Sequence, residues 1–301
     1  MNNKRRLFST VLCVAALTAG LFVSGCGSDK AGGIGSVVSS VVDGGDEKSA
    51  AKLNTLIDAT NRFNSDNASF AQFQAEGLAK LKGGFAEGAI TNQPHFDRLQ
   101  ADLEKAKKEG STFKEVDAER DNVLNILNEL VPVYKDLTAY DDSKAYMNDG
   151  GAKGKDLAAK YVAAVEKFDA AYAKFNETLN KVNAEQSKKQ IEKLKKDGKK
   201  GYAAAMESTL RLTTLVDNLE KAPQKADKAA VEKELSEIEA LLKSINNDRG
   251  QVLADRYNSV VGDVRQVLAD PSDNNLNNMI EGFNGYIDTY NSTTPDQFDA
   301  K

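Results

Sequence analysis

Few residues in this chain are equipped for chemistry. His95 is the single histidine, and Cys13 and Cys26 are the two cysteines. One histidine admits a Ser-His-Asp arrangement by count, but it rules out a multi-histidine metal centre or a Cys/His zinc knuckle. His95 follows Pro94 with Asp97 close by, and nothing local supplies a nucleophile and an orienting partner. It reads as a loop or helix-start residue. Gly150-Gly151-Ala152-Lys153-Gly154-Lys155 echoes a phosphate loop. That loop needs four residues between its first glycine and the Gly-Lys pair, then a hydroxyl for magnesium. Here three or two intervene and Asp156 takes the hydroxyl's place, so the segment reads as a loop entering a helix. Asp270, Ser272, Asn274, Asn278 and Glu281 fall in a calcium-loop frame. Asn275 replaces its turn glycine and Pro271 sits second, which favours a helix stop followed by an N-cap. No residue is assigned to catalysis, to a cofactor or to a metal, and the chain is read as no enzyme.

Cys26 is the exception. Lys4, Arg5 and Arg6 precede an apolar run from Leu7 to Val23, and Val23-Ser24-Gly25-Cys26 closes it. This is the layout of a secretory signal peptide over residues 1–25, with an ending that resembles a bacterial lipobox. In proteins with that motif the cysteine thiol is diacylated, the peptide is cut before it, and the new amino terminus is acylated as well, commonly with palmitate. Several acyl chains make dissociation from a bilayer very slow. Gly27, where an inner-membrane retention signal carries Asp, favours export to the cell outer membrane, facing the periplasm. Cys26 is thus the expected lipid attachment site and the bilayer the expected partner.

Removing residues 1–25 takes three cations away, and the formal charge goes from −5 to −8. Cys13 leaves with the signal, so the mature chain has neither a free thiol nor a disulfide and depends on packing. An acidic chain of this kind is a poor partner for nucleic acid or anionic lipid headgroups. Against that trend, Lys188, Lys189, Lys193, Lys195, Lys196, Lys199 and Lys200 form a basic cluster. Such a run usually marks a solvated helix end; the sharper reading is contact with an anionic envelope polymer or phospholipid.

Hydrophobic periodicity defines the elements that would carry these groups. Residues 26–50 hold the expected acylated cysteine and a Gly/Ser-rich tether, and residues 51–301 a helical bundle domain. Apolar residues recur at four and three in Val123-Leu127-Leu130-Tyr134-Leu137, in Tyr161-Val165-Phe168-Tyr172-Phe175-Leu179-Val182, and in Val231-Leu235-Ile238-Leu242-Ile245. Two more such stripes are Leu253-Tyr257-Val260-Val264-Val267 and Leu276-Ile280-Phe283-Ile287-Tyr290. Each set lies on one face of a helix. A first helix from about Lys48 to Lys82 carries Leu53, Leu56, Ile57, Phe63, Phe70, Phe73 and Leu78. Breaks fall at Gly83–Pro94, Asp149–Gly151, Asp197–Gly201, Ala222-Pro223 and Asp270–Ser272, and Pro132 predicts a kink. The expected fold is all-α, an elongated bundle of long antiparallel helices.

One pattern repeats. Asn54, Ile57, Asp58 and Asn61 match Asn284, Ile287, Asp288 and Asn291 in spacing. A polar pair where two helices meet and a coincidence of Asn-rich helices both fit.

Lys52-Leu53-Asn54 with Ile57-Asp58, the run Tyr134 to Tyr140-Asp141-Asp142, then Ala152-Lys153-Gly154-Lys155 and Phe168, and finally Phe283-Asn284-Gly285-Tyr286 with Tyr290-Asn291 resemble the YiiG-like family of bacterial lipoproteins. The resemblance covers most of the mature chain. It implies an exported helical lipoprotein of uncharacterised function and transfers no catalytic residues. The expected role is that of a lipid-anchored cell-envelope protein acting through protein or polymer contacts. A small-ligand binder with a pocket between helices is the alternative.

Overall fold

The computed structural model describes residues 46–68, 71–91, 93–110 and 113–300. The signal, Cys13, Cys26 and most of the expected tether lie outside these residues, as does Phe70. The described chain is all-α, with no strand among the described residues. Eleven helices are described: α1 Asp46–Ala68, α2 Ala71–Lys82, α3 Phe96–Lys108, α4 Lys114–Asp142, α5 Tyr146–Asp149, α6 Ala152–Lys196, α7 Lys200–Lys221, α8 Lys228–Lys243, α9 Asp248–Ala269, α10 Asp273–Asn291 and α11 Pro295–Phe298. A 3₁₀ turn, Pro223–Lys225, joins α7 to α8.

The stripes read from the sequence become buried faces. In α6 Tyr161, Val165, Phe168, Phe175, Leu179 and Val182 are all buried. This helix runs 45 residues, about 67 Å at roughly 1.5 Å per residue. Helix α4 continues through Pro132, whose ring faces solvent. Of the segment expected as one helix over 48–82, the described residues 46–68 and 71–82 are helical, as α1 and α2. Phe73, expected in its core, is 59% exposed. The buried face of α2 is Gln74, Gly77, Leu78 and Leu81. Gly77 sits so close to the Ala89 carbonyl that a β-carbon would collide with it. Helix α10 buries Phe283, Ile287 and Tyr290 of the expected stripe together with Met279 and Tyr286, and leaves Leu276 and Ile280 half-buried.

Contacts divide the chain into two compact units, with Thr55–Val182 in the first; of the described residues, Asp46–Asn54 and Asn183–Lys301 make up the second. The core of the first is aromatic. Phe63 meets Phe168 edge-on at 5.8 Å and Tyr172 at 5.3 Å, and Phe96 meets Phe168 at 5.0 Å. Edge-to-face pairs of this kind place positive ring edges against negative faces. In the second unit α7, α8, α9 and α10 pack in sequence and α10 closes back on α7. Short connections make such neighbours antiparallel. Three of these helices begin on side-chain caps. Asp227 accepts from the Ala229 N–H at 2.9 Å, Asn247 from the Gly250 N–H at 3.0 Å, and Ser272 from the Asn275 N–H at 3.4 Å.

Candidate functional site

The Gly150–Lys155 segment that echoes a phosphate loop and the Tyr140-Asp141 run come together at one end of the first unit. Gly150 and Gly151 take left-handed backbone, φ 66° and 85°, which glycine adopts without a Cβ penalty. The turn they form places Asp149 to accept from the Gly151 N–H at 2.9 Å and the Lys153 N–H at 3.2 Å. Asp149 therefore serves the orphan donors at the start of α6, where a phosphate would otherwise sit. Tyr140 donates to the same carboxylate at 2.6 Å. The Tyr140 hydroxyl and two backbone N–H groups hold Asp149 below the usual carboxylate range.

The loop 83–95 closes over this turn. Phe85 packs edge-on to Tyr140 at 5.1 Å and against Tyr146 at 5.3 Å. The Gly88 N–H donates to Asp141 at 2.9 Å, while the other Asp141 oxygen is buried without a partner. Gly154 lies beneath the rings. A β-carbon there would stand 2.5 Å from Tyr140 and 2.6 Å from Phe85, so a small residue is a packing requirement. Tyr146 faces Glu87, whose negative charge and hydrogen-bond acceptance push the phenol up to about 12. Depressed acid and elevated phenols leave Asp149, Tyr140 and Tyr146 without a proton to exchange near neutral pH. The arrangement is a clasp that ties α4, the 83–95 loop and α6 together.

Two carboxyls do titrate near neutrality. Burial, with Glu166 adding repulsion and Lys82 opposing it, pushes Asp169 up to about 7. Burial, Asp217 and the opposing Lys221 do the same for Glu220. One oxygen of Asp169 and both of Glu220 are buried without a hydrogen-bond partner. Perturbed carboxyls can mark active sites; Asp169 belongs to the first unit and Glu220 to the second.

A groove of about 510 Å³ opens between α7 and α8, within the range of small-molecule sites. Leu215, Leu219 and Val231 line it, with Arg211, Asn218 and Asp227 as polar groups. Arg211 is already engaged by Glu234 at 2.7 Å and by Glu237, which raises the guanidinium pKa further.

The remaining sequence candidates fall as follows. His95 is exposed at the N-cap of α3 and makes no side-chain capping bond. Its backbone N–H donates to Asn67 at 3.3 Å. In the calcium frame, Asn274, Asn278 and Glu281 lie along α10 itself, and Ser272 caps it. No three His, Cys, Asp or Glu side chains converge among the described residues. Ile57 and Ile287 of the repeated pattern are buried and Asp58 and Asp288 exposed, as one helical face requires. Among the described residues no helix is long and apolar enough to cross a membrane. The groove and the Gly77 and Gly154 contacts were not read from the sequence; a glycine within α2 and one in the first turn of α6 were the only local signal of those contacts.

No curated protein matches this chain, and no solved structure does. A family profile does match, over residues 47–251, which spans the clasp, the long helix and the groove. The chain belongs to the DUF3829 family, proteins of unknown function.

Proposed function

We propose that this chain is a lipid-anchored lipoprotein of the bacterial cell envelope, of the YiiG-like kind, that acts through contacts with a protein or an envelope polymer and not by catalysis. One observation carries the reading: a basic start, an apolar run and Val23-Ser24-Gly25-Cys26 follow one another in the order an exported lipoprotein requires. On this reading residues 1–25 are removed and Cys26 bears the acyl chains. The anchor lies in the outer membrane and the helical units face the periplasm.

A second reading, a small-ligand-binding lipoprotein, is favoured by the groove between α7 and α8. Native mass spectra of the protein, extracted gently from its host's envelope, separate the two. An acyl mass on Cys26 with a co-purifying protein or polymer fragment is the expected outcome. A small stoichiometric adduct lost on denaturation would select the ligand binder. An unmodified Cys26 would overturn the anchor.

A further inference from the structure

The basic cluster occupies the last turns of α6 and the turn that follows. Residues 188–200 carry seven lysines against Glu192 and Asp197, in a chain whose total charge is −5. Lys189, Lys193 and Lys196 repeat at four and three, which places them along one face of α6. Lys188, Lys189, Lys196 and Lys200 are exposed and Lys193 is half-exposed. These five lysines make no ion pair with a described residue. By contrast, Lys195 is held by Glu207 at 2.8 Å and Glu192 at 3.3 Å, and Lys199 by Asp296 at 3.0 Å. A helix dipole acts within the last turn. It accounts for Lys193 to Lys196 but not for Lys188 and Lys189, which lie further back.

The start of α1 lies beside this cluster. Phe63 of α1 packs on Phe168 and Tyr172 of α6, and the division between units cuts α1 after Asn54 and α6 after Val182. The two helices therefore run antiparallel, and Phe63 between Phe168 and Tyr172 sets Asn54 level with about Leu179. Asp46 stands eight residues before Asn54, about 12 Å at roughly 1.5 Å per residue. The same distance along α6 reaches about Ser187, at the start of the lysine run. The side chains of Asp46 and Glu47 lie outside the described set. Lys48 and the seven lysines outnumber Asp46, Glu47, Glu192, Asp197, Glu207 and Asp296 by eight to six, and the five lysines outside ion pairs carry that excess. Twenty residues separate Asp46 from Cys26, a reach of at most about 70 Å.

We infer that the lysine face of α6 docks on an anionic lipid surface, the one that holds the acyl chains of Cys26; the inference rests on the lipoprotein reading. The lysines and the point where the chain returns to its anchor share one end of the second unit. A negative total charge does not oppose this. At physiological salt, exposed charges more than about 8 Å away are screened, so the local lysines decide what the face attracts. Each lysine near an anionic surface favours the bound state about five-fold.

The test uses the full acylated protein reconstituted on vesicles of phosphatidylcholine alone or with one-third phosphatidylglycerol. Amine acetylation is then followed lysine by lysine by mass spectrometry. On the anionic vesicles at low salt, Lys188, Lys189, Lys193, Lys196 and Lys200 should react at least three-fold more slowly, while Lys228 and Lys233 of α8 keep their rates. The protection should vanish at high salt. In the triple variant Lys189→Gln, Lys193→Gln, Lys196→Gln, with helix content checked by circular dichroism, the remaining Lys188 and Lys200 should lose their protection. Equal rates on both vesicle types would overturn the proposal, as would protection by a soluble polyanion but not by vesicles. Sedimentation with the neutral vesicles reads the acyl anchor separately. Its failure, with an unmodified Cys26, refutes the anchor and leaves the lysine result to be read alone.

Discussion

Replacing Glu220 by Gln should stabilise the protein at pH 8 and leave it unchanged at pH 4. Both oxygens of Glu220 are buried without a hydrogen-bond partner, and burial is the largest reason its carboxyl rises from an ordinary 4.5 to about 7. Lys221 opposes the shift but is itself paired with Asp217 at 2.7 Å. A raised carboxyl binds its proton more tightly folded than unfolded. Its stabilising proton is therefore fully present below about pH 4.5 and lost as pH rises toward 7. Between two and three pH units at 1.36 kcal/mol each gives about 3 kcal/mol lost above pH 7. Gln copies the protonated shape and has nearly the same helix propensity as Glu, so the variant keeps that stability at all pH values. The assay is urea unfolding followed by circular dichroism, since the chain has no Trp. At roughly 3 kcal/mol per molar urea, the midpoint should move up by about 1 M at pH 8. A gain of equal size at pH 4, or a loss at pH 8, would refute the argument that burial of the charge is the cause.

Two further substitutions test the packing. Gly154→Ala places a methyl 2.5 Å from Tyr140 and 2.6 Å from Phe85. Alanine ordinarily gains up to about 1 kcal/mol over glycine inside a helix, yet overpacking of about 1–3 kcal/mol should lower the melting temperature here; a rise would show that the clasp yields freely. Asn247 caps α9 with its oxygen and donates its amide to the carbonyls of Gln297 at 3.2 Å, Phe298 at 2.9 Å and Ala300 at 3.0 Å. Asp caps about as well as Asn but cannot donate. Asn247→Asp should therefore leave α9 protected while amide exchange in residues 295–300 accelerates at least ten-fold, and unchanged exchange there would dismiss the tie.

The all-α class, most helix boundaries and the buried stripes of α4, α6, α8 and α9 were legible in the sequence, because each depends on spacing along a single helix. Ser272 was legible as a cap for the same reason: its role involves only its own neighbours. The address at Cys26 is likewise a linear signal, read before any fold exists. What could not be read depends on residues far apart in the chain. Phe73 is exposed although it fits the apolar pattern, because the face α2 buries is the one where Gly77 meets the Ala89 carbonyl. The loop-like Gly150–Gly154 segment became a clasp only when Phe85, some seventy residues earlier, closed on Tyr140. Glu220 looks like any surface glutamate until packing takes its two oxygens out of water. The lysines of α6 were visible as a run, but the sequence averaged them into an acidic chain. Their position beside the start of α1 follows from the antiparallel pairing of two helices more than a hundred residues apart. Periodicity determines which face of a helix is buried; only the tertiary structure decides what that face meets, because burial and charge depend on neighbours that local spacing does not specify.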